Sequence, residues 1–257
     1  MAVDWSGAAQ GASAHIWMAH VAGGELVTLA NGRSRGEMVD HLIALRAGRR
    51  ALVVGLDFSF SFPAWFVRDL GSTTVGELWS LVGREGEGWL AECRTPFWGR
   101  PGRPRPELAA HLRRAEGQVM VGGISPKSVF QIGGAGSVGT GSVRGMPHLA
   151  RLRDAGFSIW PFDEPSPSMV IEIYPRLLTG PVHKSSRARR ADYLAAAPWS
   201  VAPPFAASII DSEDAFDAAI SALVMHDHRA DLAALPRATD PVGRLEGDFW
   251  RPPKIAP

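Results

Sequence analysis

The spacing of apolar and polar positions divides the first third of the chain into short strands and one helix. An apolar start ends in the carboxylate of Asp4 and turns polar at Trp5-Ser6-Gly7, the pattern of a strand that delivers an acid to its end. His15 to Val21 predicts a second strand, Gly23-Gly24 a hairpin turn and Glu25 to Leu29 a third strand, so the opening is a meander. Arg35 to Ala47 then carries Met38, Val39, Leu42, Ile43 and Leu45 at mostly helical spacing, and Gly48 marks the stop. Leu52-Val53-Val54-Gly55-Leu56 forms another β-branched run that ends in Asp57, as the first strand ends in Asp4. Three antiparallel strands, a crossover helix and a strand parallel to the first bring two carboxylates to one end of a sheet, where they suggest a metal ion.

The middle is less regular. Ala64 to Leu70 and Val75 to Val82 predict short helices rich in Trp and Phe, side chains that either stack on nucleobases or, as the plainer reading, fill the core. Proline, glycine and arginine dominate Thr95 to Pro106, and glycine and serine dominate 122–147, so residues 64–167 read as a loop-rich insertion. Gly134 to Gly139 matches G-x-G-x-x-G, with Asp154 near the distance of a ribose-binding acid, but Thr140 to Pro147 is a poor helix and a dinucleotide turn needs one there. Gly136 to Ser142 has the outline of a phosphate loop without its lysine. The expectation is therefore a mobile glycine-rich lid whose Lys127 and Arg144 meet phosphates.

Regular structure returns in Ser168 to Arg176, a strand with Glu172 in its interior. A carboxylate there is costly unless paired, and Arg176 or a metal could serve as partner. Asp211 to about His228 predicts a closing helix with Asp214, Asp217 and Ser221 on one face and Phe216, Ile220 and Leu223 on the other. It is expected to anchor by one side and present acids on the other. Acids in a first helical turn also favour the macrodipole without any chemistry. His226 and His228 read either as surface residues of a helix end or as a proton shuttle.

Composition bounds these readings without redirecting them. At 257 residues and 46% hydrophobic content the chain can bury a full core as one domain, 1–257. The net charge of +1 hides two basic clusters, Arg100, Arg103 and Arg105, and His183, Lys184, Arg187, Arg189 and Arg190, which suit phosphate backbones or are simply solvated. Cys93 is the single cysteine, which excludes an intrachain disulfide framework and a cysteine zinc site. No apolar run approaches a membrane span, and the expected location is cytoplasmic.

Four motifs stand in order along the chain: Asp4-Trp5-Ser6-Gly7, Gly55-Leu56-Asp57-Phe58-Ser59-Phe60 with Pro63, Glu172-Ile173-Tyr174-Pro175, and Asp214-Ala215-Phe216-Asp217 ahead of Glu246 to Trp250. Together they resemble the predicted-nuclease family called domain of unknown function four-twenty-nine, over nearly the whole chain. The resemblance implies an α/β, RNase H-like mixed sheet of strand order 3-2-1-4-5 with flanking helices and the insertion between strands four and five. It implies Asp4, Asp57, Glu172 and Asp217 as catalytic acids, with Asp4, Asp57, Asp214 and Asp217 as ligands of Mg²⁺ or Mn²⁺. Asp4 would bridge two ions and Glu172 would be peripheral, in a two-metal hydrolysis of phosphodiester bonds. DNA or RNA is the expected partner, with Lys127, Arg144, Arg176 and Lys184 as substrate contacts. Only three residues precede Asp4, which leaves the first strand unusually short for that family and raises an upstream start. Two other classes share the strand order: a sugar-kinase or actin-like ATP-binding protein, and a nucleic-acid-binding or assembly protein that keeps the fold without catalysis.

Overall fold

The computed structural model describes every residue except 49, 50, 109, 121, 122, 124, 135 and 254–257. Its strands are β1 (Ala2–Asp4), β2 (Trp17–Ala22), β3 (Glu25–Ala30), β4 (Leu52–Leu56), β5 (Ser158–Ile159) and β6 (Ser168–Glu172). They form one mixed sheet in the order β3-β2-β1-β4-β6-β5. β2 runs antiparallel to β1 and β3, while β1, β4, β6 and β5 run parallel to one another. The expected order 3-2-1-4-5 is corrected by one strand. The last long apolar run is the sixth strand in chain order, and the two-residue β5 lies outside it at the sheet edge. Two residues carry no period-2 signal, so nothing in the pattern announces them.

The helices are α1 (Arg35–Ala47), α2 (Ala64–Asp69), α3 (Val75–Glu92), α4 (Arg114–Gly117), α5 (Gly139–Asp154), α6 (Pro175–Thr179), α7 (Arg187–Ala196), α8 (Pro203–Asp211), α9 (Glu213–Asp227), α10 (Arg229–Ala233) and α11 (Gly243–Glu246). They cover both faces of the sheet. On one face Val3, Met18, Val54, Leu56 and Val170 pack with Met38 and Leu42 of α1, Leu78 and Trp79 of α3 and Met146 and Leu149 of α5. On the other, Ala2, Ala19, Ile171 and Ile173 pack with Phe216, Ala219, Ile220 and Leu223 of α9 and Ile209 of α8. α9 is buried on all sides from Ala215 to Leu223, Asp217 and Ser221 included, so it does not present a polar face to water as its spacing suggested. Its alanines let it lie close to the sheet. Gly55 completes that fit, since a Cβ there would stand 2.7 Å from the Met225 sulfur and 2.8 Å from Ile173 Cγ2.

Residues 139–154 differ from the expected loop and lid by forming the helix α5, with Pro147 inside it. Helix propensity is overridden here by packing. A Cβ on Gly139 would meet the Val129 carbonyl oxygen at 2.2 Å, and one on Gly145 would meet the Phe58 ring at 2.6 Å. The glycines thus bring α5 against the chain that follows β4, and they are a packing device. Because a helix does follow the G-x-G-x-x-G run, the case against a dinucleotide turn moves to its other side: the described residues of 128–138 hold no strand beyond a single bridge of Gln131 to Trp98. Ala135 of that motif lies outside the described residues, and Asp154 is an exposed helix end. The aromatics of the middle segment, Phe60, Phe62, Phe66, Trp79, Phe97 and Phe130 among them, belong to the core.

Candidate functional site

Strand parity decides which acids meet. Asp4 is in phase with Ala2, and Asp57 with Gly55, so both carboxylates emerge on the face covered by α9. The Asp57 amide donates to the Val3 carbonyl at 3.1 Å, which extends the parallel ladder and sets Asp57 beside Asp4. Their side chains share a hydrogen bond. α9 adds Asp217 from its second turn, only 3% exposed. Asp217 Oδ2 is ion-paired with Lys184 Nζ, and Asp217 Oδ1 is buried with no hydrogen-bond partner.

Burial raises the carboxyls of all three acids, and neighbouring acids add to it. Asp4 is half-buried, yet so enclosed by protein that burial, then Asp57, Asp217 and Asp214, push its carboxyl well above the usual range. Burial, then Asp217, push Asp57 up to about 7. Asp217 is raised by burial and partly restored by Lys184. The Lys184 ammonium is itself held charged: burial opposes this, but the pull of Asp217, with Asp57 and Asp4 beyond it, raises its pKa. Asp214, half-buried one turn before Asp217, has Oδ2 at 3.1 Å from His15 Nδ1 and accepts from it when the imidazole carries its proton on that nitrogen. His15 was not singled out in the sequence, where nothing ties a loop histidine to an acid so distant along the chain.

Glu172 stands apart. The register pairs it with Leu56, so it lies on the opposite face of the sheet from Asp57's side chain, toward the inserted segment. Its partner is Arg113, in place of the expected Arg176 or metal. Arg113 Nη1 donates to Glu172 Oε2 at 2.9 Å and Nη2 binds Oε1, while the Phe60 amide also donates to Oε2 at 2.9 Å. Arg113 is 1% exposed and further holds Glu116, the Ser59 hydroxyl and the Glu246 carbonyl. Glu246 in turn accepts the amides of Ala64 and Arg114, so this network ties the insertion and the closing motif to β6. A buried glutamate signals that a cation must exist, but sequence cannot say which of 27 lysines and arginines it is.

Two clefts flank Asp57 and Tyr174. One, of about 150 Å³, is lined by Trp5, Gly7, Lys127, Gly141, Glu172 and Phe249 besides. The other, of about 360 Å³, holds Arg176, His183, Lys184, Glu213 and Asp217. Lys127 is exposed at the first, and Lys184 lines the second. Arg176 lines it too but gives Nη1 to the Val182 carbonyl at 2.5 Å. Arg144 is elsewhere engaged, with Glu87 at 2.7 Å and the Gly7 carbonyl at 2.5 Å, so it shapes the loop after Asp4 together with Arg35, which holds the Ser6 and Ala8 carbonyls. His226 lines a cavity with Met1 and His20 at the far end of α9, about 13 Å along the helix from Asp217 at 1.5 Å per residue. His228 pairs with Asp231 at 2.9 Å. Neither histidine reaches the acids, which removes the proposed shuttle.

Comparison with protein-family models, with curated proteins and with solved structures finds no match to the chain. No helix among the described residues is long and apolar enough to cross a membrane.

Among the described residues no three carboxylate, imidazole or thiol groups already surround one point as a metal cage. The donor chemistry nevertheless fits a hard divalent ion. Asp4, Asp57 and Asp217 offer only oxygen, their mutual repulsion calls for positive charge, and Asp217 Oδ1 is a buried acceptor without a donor.

Proposed function

We propose that this chain is a metal-dependent nuclease of the RNase H-like class, related to the family of domain of unknown function four-twenty-nine. The observation that carries this reading is the convergence of Asp4, Asp57 and Asp217, from β1, β4 and α9, on one end of the sheet, with raised pKa values and Lys184 as counter-charge. The meander, crossover helix and parallel β1–β4 pair agree with that class.

Asp4, Asp57 and Asp217 would hold Mg²⁺ or Mn²⁺, with Asp214 near enough to add to the field at Asp4. A bound ion of this kind supplies Lewis acidity, which activates water and stabilises a leaving oxygen. The protein's own contribution is placement. Arg35 and Arg144 fix the loop after Asp4, the Val3 to Asp57 hydrogen bond fixes the pair, and α9 supplies Asp217 from a buried position. Lys127 offers a cation to a polyanionic substrate at the rim of the smaller cleft. Glu172 serves the scaffold through Arg113, outside the ligand set.

The test is titration calorimetry of Mn²⁺ into the native protein and an Asp4→Asn, Asp57→Asn double variant, followed by cleavage assays on single-stranded, duplex and branched DNA and RNA. The expected result is binding and Mn²⁺-dependent cleavage by the native protein and neither by the variant. Equal binding to both proteins would overturn the metal centre. Binding without cleavage of any substrate would favour the non-catalytic nucleic-acid binder.

A further inference from the structure

Lys184 brings an ammonium group into the acidic centre from the stretch between α6 and α7. Its backbone is clamped. The amide donates to the Val182 carbonyl at 3.0 Å, and the carbonyl accepts from Arg190. The buried Arg190 also gives Nε and Nη2 to the Ile210 carbonyl at 2.9 and 2.7 Å, so the anchor reaches α8. The side chain is freer: it is 36% exposed, against 4% for the carboxylate it meets. A fixed root and a flexible four-carbon stem make an arm that can leave Asp217 without moving the backbone.

The charge balance gives that arm a purpose. Asp4, Asp57 and Asp217 carry three negative charges when ionised, and Lys184 returns one. A divalent cation offsets two, one more than the ammonium it would replace. Asp217 meanwhile has one oxygen on Lys184 and the other buried without a donor, a carboxylate half-satisfied by the ammonium.

We propose that Lys184 is an internal stand-in for the metal: its ammonium closes the centre on Asp217 when no divalent ion is bound and is displaced when one enters. The inference rests on the metal-centre reading above. Metal affinity is then set by competition, since the incoming ion must break the Lys184–Asp217 pair. The displaced ammonium stays in the cleft that Lys184 lines with Tyr174 and Glu213, where a substrate phosphate would meet it.

Calorimetric titration of Mn²⁺ into the native protein and the Lys184→Gln, Lys184→Arg and Lys127→Gln variants separates the possibilities. Lys184→Gln is expected to bind about tenfold tighter or better, because a unit charge in direct contact no longer opposes the ion. Lys184→Arg keeps the charge and should bind as the native protein does. Lys127→Gln, which removes a charge from the neighbouring cleft, should change affinity less than about threefold. Thermal melting gives a readout independent of affinity. Without metal, Lys184→Gln should melt below the native protein, because Asp217 loses its partner, and saturating Mn²⁺ should recover the loss. Should the variant fail to fold without metal, refolding on addition of Mn²⁺ is the same positive result. Native binding with equal or weaker binding by Lys184→Gln would overturn the stand-in role while leaving the metal centre intact. Absence of Mn²⁺ binding from all four proteins would overturn the metal centre itself, and binding by Lys184→Gln alone would support the stand-in role.

Discussion

Asp57 and Glu172 are one residue out of step across neighbouring strands, and that single step gives them different chemistry. Asp57 shares a centre with two other acids, and burial with repulsion holds its pKa up to about 7. Glu172 is paired with a buried guanidinium, which it shares with Glu116. Replacing Glu172 by Gln should therefore leave Mn²⁺ affinity within about threefold of native while costing on the order of 3 kcal/mol of stability, because Arg113 loses a buried partner. Calorimetry and urea denaturation on one preparation read both effects, and loss of Mn²⁺ binding would return Glu172 to the ligand set.

The raised Asp57 also fixes the sign of a pH dependence. Between the unfolded value of about 3.9 and the folded value near 7, the folded state binds more protons than the unfolded one. The contribution of Asp57 to stability is thus unperturbed below that window and falls as pH rises through it. In chelator-treated protein, urea midpoints should decline from about pH 4 to about pH 7, and Asp57→Asn should flatten the decline. A native midpoint that declines no more steeply than that of the variant would mean the acids are not coupled as described.

At the scale of elements, α5 shows where sequence and fold part company. Its glycines and Pro147 argue against a helix in isolation, and the helix exists because those same glycines let it touch Gly7 and Phe58. Gly145→Ala should test this directly. Helix propensity alone would gain about 1 kcal/mol, but the new methyl would press on the Phe58 ring, which is backed by Trp5 and Phe60. A net loss of about 1 to 2 kcal/mol is expected in urea denaturation, with weaker Mn²⁺ binding because Phe58 adjoins Asp57. A stabilised variant would show that the contact is loose.

The strands were legible for the opposite reason. β1 to β4 and α1 announce themselves through short apolar runs, a Gly-Gly turn and a Gly48 stop, all local signals. The two strand-end acids could be read from the same pattern. Asp217 could be found as a helix residue but not as a buried one, because the helices that cover α9's outer side lie elsewhere in the chain. Glu172 could be recognised as needing a partner, while its side of the sheet depended on a register that no single strand encodes. β5 and Arg113 carry no local signal at all.

For the molecule as a whole, the acidic centre is a place where like charges are forced together by an otherwise favourable sandwich. Anything that binds the folded form there should stabilise the entire chain. At a free Mn²⁺ concentration 100 times the dissociation constant, linkage gives about 2.7 kcal/mol, or roughly 5 to 10 °C in melting temperature for a protein of this size. Differential scanning calorimetry measures this shift, and it should vanish in the Asp4→Asn, Asp57→Asn variant. A shift of equal size in both would place the ion elsewhere.

The position of α9 has a consequence for how the molecule comes into being. Asp4 and Asp57 leave the ribosome before α9 and can pair as soon as β1 and β4 meet, but Asp217 follows only after the inserted segment and β6 have been made. A polypeptide made only as far as β6 therefore carries two of the three acids and lacks both Asp217 and the lysine paired with it. The cluster of three acids is incomplete until α9 has been made, and the segment from β6 to α9 is the part of the chain that closes it.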